Sequence, residues 1–147
     1  MKQAFVALGS NLDDPQSKIL MALDLLAAEP GVTLLRRSPL YRTAPVGYLD
    51  QPDFINAVDT LLAIEERMGR VRTFRNAPRT LDLDLLCYQG VTMCDETLTL
   101  PHPRMHERAF VLLPLNDIAP ALQIGDHGTV AELAVKLDHQ GVERLAY

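Results

Sequence analysis

Apolar and polar positions follow two different periods along this chain, and each change of period marks an element. Gln3 to Leu8 is almost continuously apolar and reads as a buried strand. Gly9-Ser10-Asn11 then turns the chain toward Asp13 or Asp14 as a helix N-cap, with Pro15 in the first turn. Ile19, Leu20, Leu23, Leu26 and Ala27 recur at helical spacing, and Pro30-Gly31 ends this helix near Glu29. Val32 to Tyr41 reads as a strand interrupted near Ser38-Pro39, Thr43 to Tyr48 as loop, and Phe54 to Val58 as the next strand. A short helix is predicted from about Thr60 to Met68, ending at Gly69. The spacing beyond it predicts a strand around Asp82, one or two short strands within Thr92 to Leu100, and a rigid connector at Pro101-His102-Pro103. Arg108 to about Ile118 reads as a helix interrupted by Pro114, and Val130 to Leu137 as a final short helix.

The order strand, helix, strand, strand, helix, strand predicts an α+β fold: a ferredoxin-like sandwich whose mainly antiparallel sheet has helices packed on it. One connection is unusually tight. Only Asp59 and Thr60 separate the strand around Ile55 from a helix under way by Leu61, which leaves little strand and barely two turns of helix.

With 147 residues, 48% of them hydrophobic and 22% charged, the chain suits one domain spanning 1–147 with a core of its own. No apolar run approaches the length of a membrane span, and the start enters a strand too soon for an export signal. A cytoplasmic location is therefore expected, with Cys87 and Cys94 as reduced thiols. The net charge of -5 argues against a dedicated nucleic-acid binder.

The chemistry concentrates in Arg79-Thr80-Leu81-Asp82-Leu83-Asp84-Leu85-Leu86. On a strand Asp82 and Asp84 point one way while Leu83 and Leu85 point to the core. Carboxylates about 6.5 Å apart along the backbone can converge on a pair of divalent ions about 3.5 to 4 Å apart. Oxygen ligands without companion histidines suit magnesium better than zinc. The alternative is a half-exposed strand with its acids in water. Against it stands the preceding segment, Arg70 to Arg79, with four arginines and no acidic residue. Guanidinium forks beside a metal-binding pair suggest a polyphosphate substrate.

Gly9-Ser10-Asn11 lacks the glycine spacing and Lys-Ser/Thr ending of a phosphate loop, so side chains must grip any phosphate. His102, held between two prolines, is a candidate ligand donor, although a loop histidine is more often structural. Phe54 and Phe110 alone would count as core. Asn56, two residues after Phe54, needs partners for its amide, and a planar heterocycle stacked on an aromatic and read by that amide would satisfy both. Arg108 sits where the helix dipole disfavours a cation, which an anionic ligand would offset.

These residues fall in six ordered blocks: Leu8-Gly9-Ser10-Asn11-Leu12, Tyr41-Arg42-Thr43, Gln51-Pro52-Asp53-Phe54-Ile55-Asn56-Ala57, Gly69-Arg70-Val71-Arg72, Pro78-Arg79-Thr80-Leu81-Asp82-Leu83-Asp84, and Pro101-His102 followed by Arg108-Ala109-Phe110. In them the chain closely resembles the 6-hydroxymethyl-7,8-dihydropterin pyrophosphokinases of folate biosynthesis, over about Ala4 to Ile124. The resemblance implies a ferredoxin-like fold and transfer of pyrophosphate from MgATP to the pterin hydroxymethyl group, leaving AMP. It implies two Mg2+ ions on Asp82 and Asp84, with Arg79 beside them as a catalytic residue. ATP would be bound by Glu65, Arg70, Arg79, Leu85, His102 and Arg108. The pterin would lie between Phe54 and Phe110, its polar edge read by Asn56 and the segment carrying Thr43, Ala44 and Val46. The loops 44–50 and 73–77 resemble the family's covers.

The resemblance also implies a monomer whose partners are small molecules, ATP and a reduced pterin, with no nucleic acid and no membrane. By the same resemblance, relatives carry roughly a dozen to fifteen more residues between the Asn56 strand and the Glu65 helix, where such connections are longer. Two rival readings remain at this level: a non-catalytic ferredoxin-like module sensing a nucleotide or other anion, and a kinase moving only the γ-phosphoryl group.

Overall fold

The computed structural model describes residues 2–11, 14–44, 52–63, 81–89, 93–94, 99–137 and 141–145. Its frame is the strand β1 (Lys2–Ser10), followed by helix α1 (Pro15–Ala28) and strands β2 (Val32–Arg37), β3 (Tyr41–Thr43), β4 (Phe54–Ala63) and β5 (Asp82–Tyr88). β1 pairs antiparallel with β4 along one edge and with β5 along the other. The far edge of β4 is shared: β2 pairs with its second half and β3 with its first. The last strand, β10 (Val142–Arg144), adds to β3, giving the order β10-β3-β4-β1-β5 with β2 also on β4. The sheet is antiparallel throughout the described pairs, as predicted.

Alternation along β1 feeds two cores. Ala4, Val6 and Leu8 pack with Ile19, Leu23 and Leu26 of α1. Phe5 faces the opposite layer, where helices α2 (Ala109–Ile118) and α3 (Val130–Lys136) bury Val111, Leu112, Leu115, Val130 and Leu133. Each such aliphatic side chain contributes about 1.5–3 kcal/mol by leaving water. A register shift between Phe5 and Val6 lets Leu86 and Cys87 both turn toward the second core. The short strands β6 (Met93–Cys94) and β7 (Thr99–Leu100) form a ribbon, and β8 (Gln123–Ile124) with β9 (Gly128–Thr129) a hairpin. Thr129 and Glu132 close a capping box on α3. Tyr41 on β3 donates its hydroxyl to Asp117 of α2, and Arg144 of β10 lies 3.6 Å from the same carboxylate.

Several expectations are corrected. Thr60 to Ala63 is not the start of a helix but the end of β4, paired on both edges. The tight connection after Ile55 is thus a ten-residue strand. The remainder of the predicted helix lies outside the described residues. Gly9 and Ser10 are strand rather than turn. Leu20 and Ala27 face solvent, because Ala22 rather than these completes the buried stripe of α1. Asp14 occupies the N-cap position of α1 but makes no side-chain cap; its carboxylate accepts from the Ser17 hydroxyl at 2.8 Å. α2 runs unbroken through the buried Pro114.

Candidate active site

Two cross-strand rows form the floor. Gly9 is the register partner of Asn56 on β4 and of Asp82 on β5, while Ala7 lies between Val58 and Asp84. Residues two apart share a face, so the small Ala7 and Gly9 leave a trough between the acids and the amide. The second layer closes it. Arg104, Glu107 and Arg108 from the segment after β7, with Ala109, Phe110 and Val111 of the first turn of α2, form a wall, and a cavity of about 650 Å³ remains. Asn56, Asp82, Asp84, His102, Arg108 and Phe110 all line it, together with Thr43, Ala44 and Phe54.

Asp82 and Asp84 are exposed on the cavity side of β5, and Leu83 and Leu85 pack on the opposite core. Partial burial, and then the Asp84 charge, hold the Asp82 carboxyl above its ordinary range. Burial and a neighbouring negative charge thus both oppose ionisation of Asp82, a cost that a divalent cation relieves. Among the described residues no cluster of three or more His, Cys, Asp or Glu side chains could hold a metal. A donor set of two carboxylates, with water and phosphate oxygens completing it, fits magnesium.

His102 is fixed at both ends. Its backbone N–H donates to the Leu86 carbonyl at 2.7 Å, and its ring Nδ1 accepts the Arg104 backbone N–H at 3.2 Å. A backbone amide only donates, so the neutral ring carries its proton on Nε2. Burial and the Arg108 and Arg104 charges lower the affinity of this imidazole for a second proton, and Asp84 opposes them. Arg108 is the N-cap residue of α2, and its guanidinium lies over the Phe110 ring.

At the other end of the trough Asn56 is buried, and its Nδ2 donates to Thr43 Oγ1 at 2.8 Å. A Cβ at Gly9 would stand 2.9 Å from Asn56 Oδ1, so glycine is what lets that amide lie against β1. Phe54, the partner of Thr43 on β3, is half-buried and lines the same cavity as Phe110.

Nine of the anticipated residues therefore meet in one cavity: Asp82, Asp84, His102, Arg108, Thr43, Ala44, Phe54, Asn56 and Phe110. Leu85 does not; its side chain is buried under the sheet on the α1 side. Val46, Glu65, Arg70, Arg79 and the loops 45–50 and 73–77 lie outside the described residues. Sequence reasoning missed Gly9, Arg104 and Glu107, all of which line the cavity. Gly9 carried a signal only through its register with Asn56 and Asp82. Arg104 carried one in its position two residues after His102.

A family model described as 7,8-dihydro-6-hydroxymethylpterin-pyrophosphokinase (HPPK) matches residues 5–120. The chain is 45% identical to a 2-amino-4-hydroxy-6-hydroxymethyldihydropteridine pyrophosphokinase of Methylorubrum extorquens, over 99% of both chains. That match runs over 158 positions, more than the 147 residues present, so relatives carry residues that have no counterpart here. A protein of the same name from Pseudomonas aeruginosa is 42% identical over 99% of this chain and 98% of its own. Among solved structures, a Plasmodium falciparum HPPK-DHPS superposes with a TM-score of 0.76 at 14% identity, over all of this chain and 48% of that one. The chain thus spans about half of that larger protein, and the likeness is one of fold.

Proposed function

Because the chain belongs to the 7,8-dihydro-6-hydroxymethylpterin-pyrophosphokinase family, we propose that it transfers pyrophosphate from MgATP to the hydroxymethyl group of 6-hydroxymethyl-7,8-dihydropterin, releasing AMP, as a step of folate biosynthesis. The observation that carries this reading is the sharing of one trough by an acidic pair and a planar-ring site. Asp82 and Asp84 stand on one side of Gly9, and Asn56 with Phe54 and Phe110 on the other.

The pterin stacks between Phe54 and Phe110, and Asn56, held by Thr43, reads its polar edge. That orients the hydroxymethyl oxygen toward Asp82 and Asp84. Asp82 and Asp84 would hold two magnesium ions, which supply charge neutralisation of the triphosphate and of the attacking oxygen. The oxygen bonds to the β-phosphorus as the bond from that phosphorus to the α,β-bridging oxygen breaks, and the hydroxyl proton is lost to water. His102 donates from Nε2, and Arg108 donates from its fork, to phosphate oxygens whose charge grows in the transition state. Arg79, as a catalytic residue, and Glu65, Arg70 and the backbone around Leu85, as nucleotide contacts, complete the assignment, with Ala44 and Val46 on the pterin side. Acting as a single domain and a monomer, the protein would work in the cytoplasm on small molecules alone.

The nucleotide product tests this. Purified protein with MgATP and the reduced pterin should yield AMP in step with pterin pyrophosphate. ADP would indicate a γ-phosphoryl kinase, and no turnover a sensor.

A further inference from the structure

The wall of the cavity holds a cation that the activity has not yet used. Arg104 lines the cavity alongside Asp82, Asp84, His102 and Arg108, and its guanidinium makes no hydrogen bond or ion pair with any described residue. Its main chain, by contrast, is pinned. The N–H donates to His102 Nδ1 at 3.2 Å, and the carbonyl accepts the Glu107 N–H at 3.1 Å. A fixed backbone carrying a guanidinium unpaired among the described residues, in the wall of an acidic, polyphosphate-sized cavity, is a poised anion contact.

Charge points the same way. The ionisable described groups of the lining are Asp82, Asp84 and Glu107 against Arg104 and Arg108, besides His102. Glu107 has a neighbour of its own, His106 Nε2 at 3.6 Å. With the aspartate pair committed to cations, the two arginines face the phosphates. Arg104 and His102 line the same cavity, and the Arg104 charge is among those that oppose protonation of the His102 ring.

We propose that Arg104 is a further polyphosphate-binding residue, acting twice on one ligand: its backbone N–H sets the His102 tautomer that donates from Nε2, and its guanidinium contacts the β,γ-phosphates directly. The proposal rests on the nucleotide reading of the cavity given above.

Arg104→Gln separates the two roles, because the backbone donor to His102 survives while the charge is lost. The probe is the Mg2+ complex of α,β-methylene-ATP, which resists cleavage of the bond in question, with AMP as the control lacking β- and γ-phosphates. Loss of a charge-assisted contact at an exposed site should raise the dissociation constant of the analogue about tenfold. It should also flatten its dependence on salt and leave AMP affinity and the thermal midpoint unchanged, with Arg104→Lys recovering part of the loss. Analogue binding within about twofold of the unaltered protein, or an equal loss for AMP, overturns the proposal alone. Failure of the unaltered protein to bind the analogue overturns the nucleotide reading with it.

Discussion

The guanidinium carbon of Arg108 lies 5.6 Å from the centroid of the Phe110 ring, within the range of a cation–π contact. Under the proposed function each partner has another task, since Phe110 stacks the pterin and Arg108 grips phosphate. A guanidinium resting on the ring serves neither. Binding of the nucleotide should draw Arg108 toward phosphate and free a ring face, so that the nucleotide binds before the pterin site is complete. At about 0.5–1 kcal/mol for an exposed pair, the effect is roughly two- to fivefold. Pterin affinity measured by calorimetry should rise at least that much with Mg-α,β-methylene-ATP present, and Arg108→Ala should shrink the enhancement. Equal affinity with and without the analogue counts against the order.

Gly9→Ala tests the other end of the trough. The added methyl would meet Asn56 Oδ1 at 2.9 Å, closer than a carbon and an oxygen settle, so the amide must shift and its bond to Thr43 weaken. Overpacking of this kind costs about 1–3 kcal/mol of stability. The more specific consequence is a pterin KM raised about tenfold, with a smaller change in the KM for MgATP. An unchanged pterin KM in the folded variant would remove Asn56 from the site.

Much of this site was legible because its chemistry sits in short local patterns. The alternation Asp82-Leu83-Asp84-Leu85 fixes which side faces the cavity in any strand, whatever its neighbours. The partnership of Gly9 with both Asn56 and Asp82 depends on register across three strands, which no window of sequence contains. The length of β4 is hidden from the sequence for a related reason. Leu61-Leu62-Ala63 suits a helix or a strand by periodicity, and what decides is pairing with β1 and β2 on both edges. Asp59, read as a junction between two elements, is in fact mid-strand and fully buried.

Asp84→Ala should abolish most turnover without harming the fold. The side chain is exposed, and its removal relieves the repulsion that adds to burial in raising the Asp82 carboxyl, so thermal stability should hold within about 0.5 kcal/mol. Loss of a carboxylate that positions metal-bound phosphate should cost several kcal/mol in the transition state, or about a thousandfold in kcat. AMP release at saturating MgATP is the measurement. Turnover near that of the unaltered protein refutes the metal assignment.

The last prediction concerns Asp59, whose two carboxylate oxygens are buried on β4 with no hydrogen-bond partner among the described residues. Desolvation pushes its pKa from 3.8 up to about 7, and the Arg37 charge, on the register partner in β2, only partly offsets this. Between those values the native state keeps a proton that the unfolded chain releases, so stability is lost as pH rises from about 4 to about 7 and stays lost above. At 1.36 kcal/mol per pH unit, about 2 to 3 kcal/mol should vanish between pH 5 and pH 8. Urea unfolding at the two pH values should show that loss, and Asp59→Asn, which has no charge to desolvate, should be the more stable protein at pH 8 and lack the slope. A parent protein equally stable at both pH values would show that Asp59 ionises without cost and is not enclosed between β1 and β2.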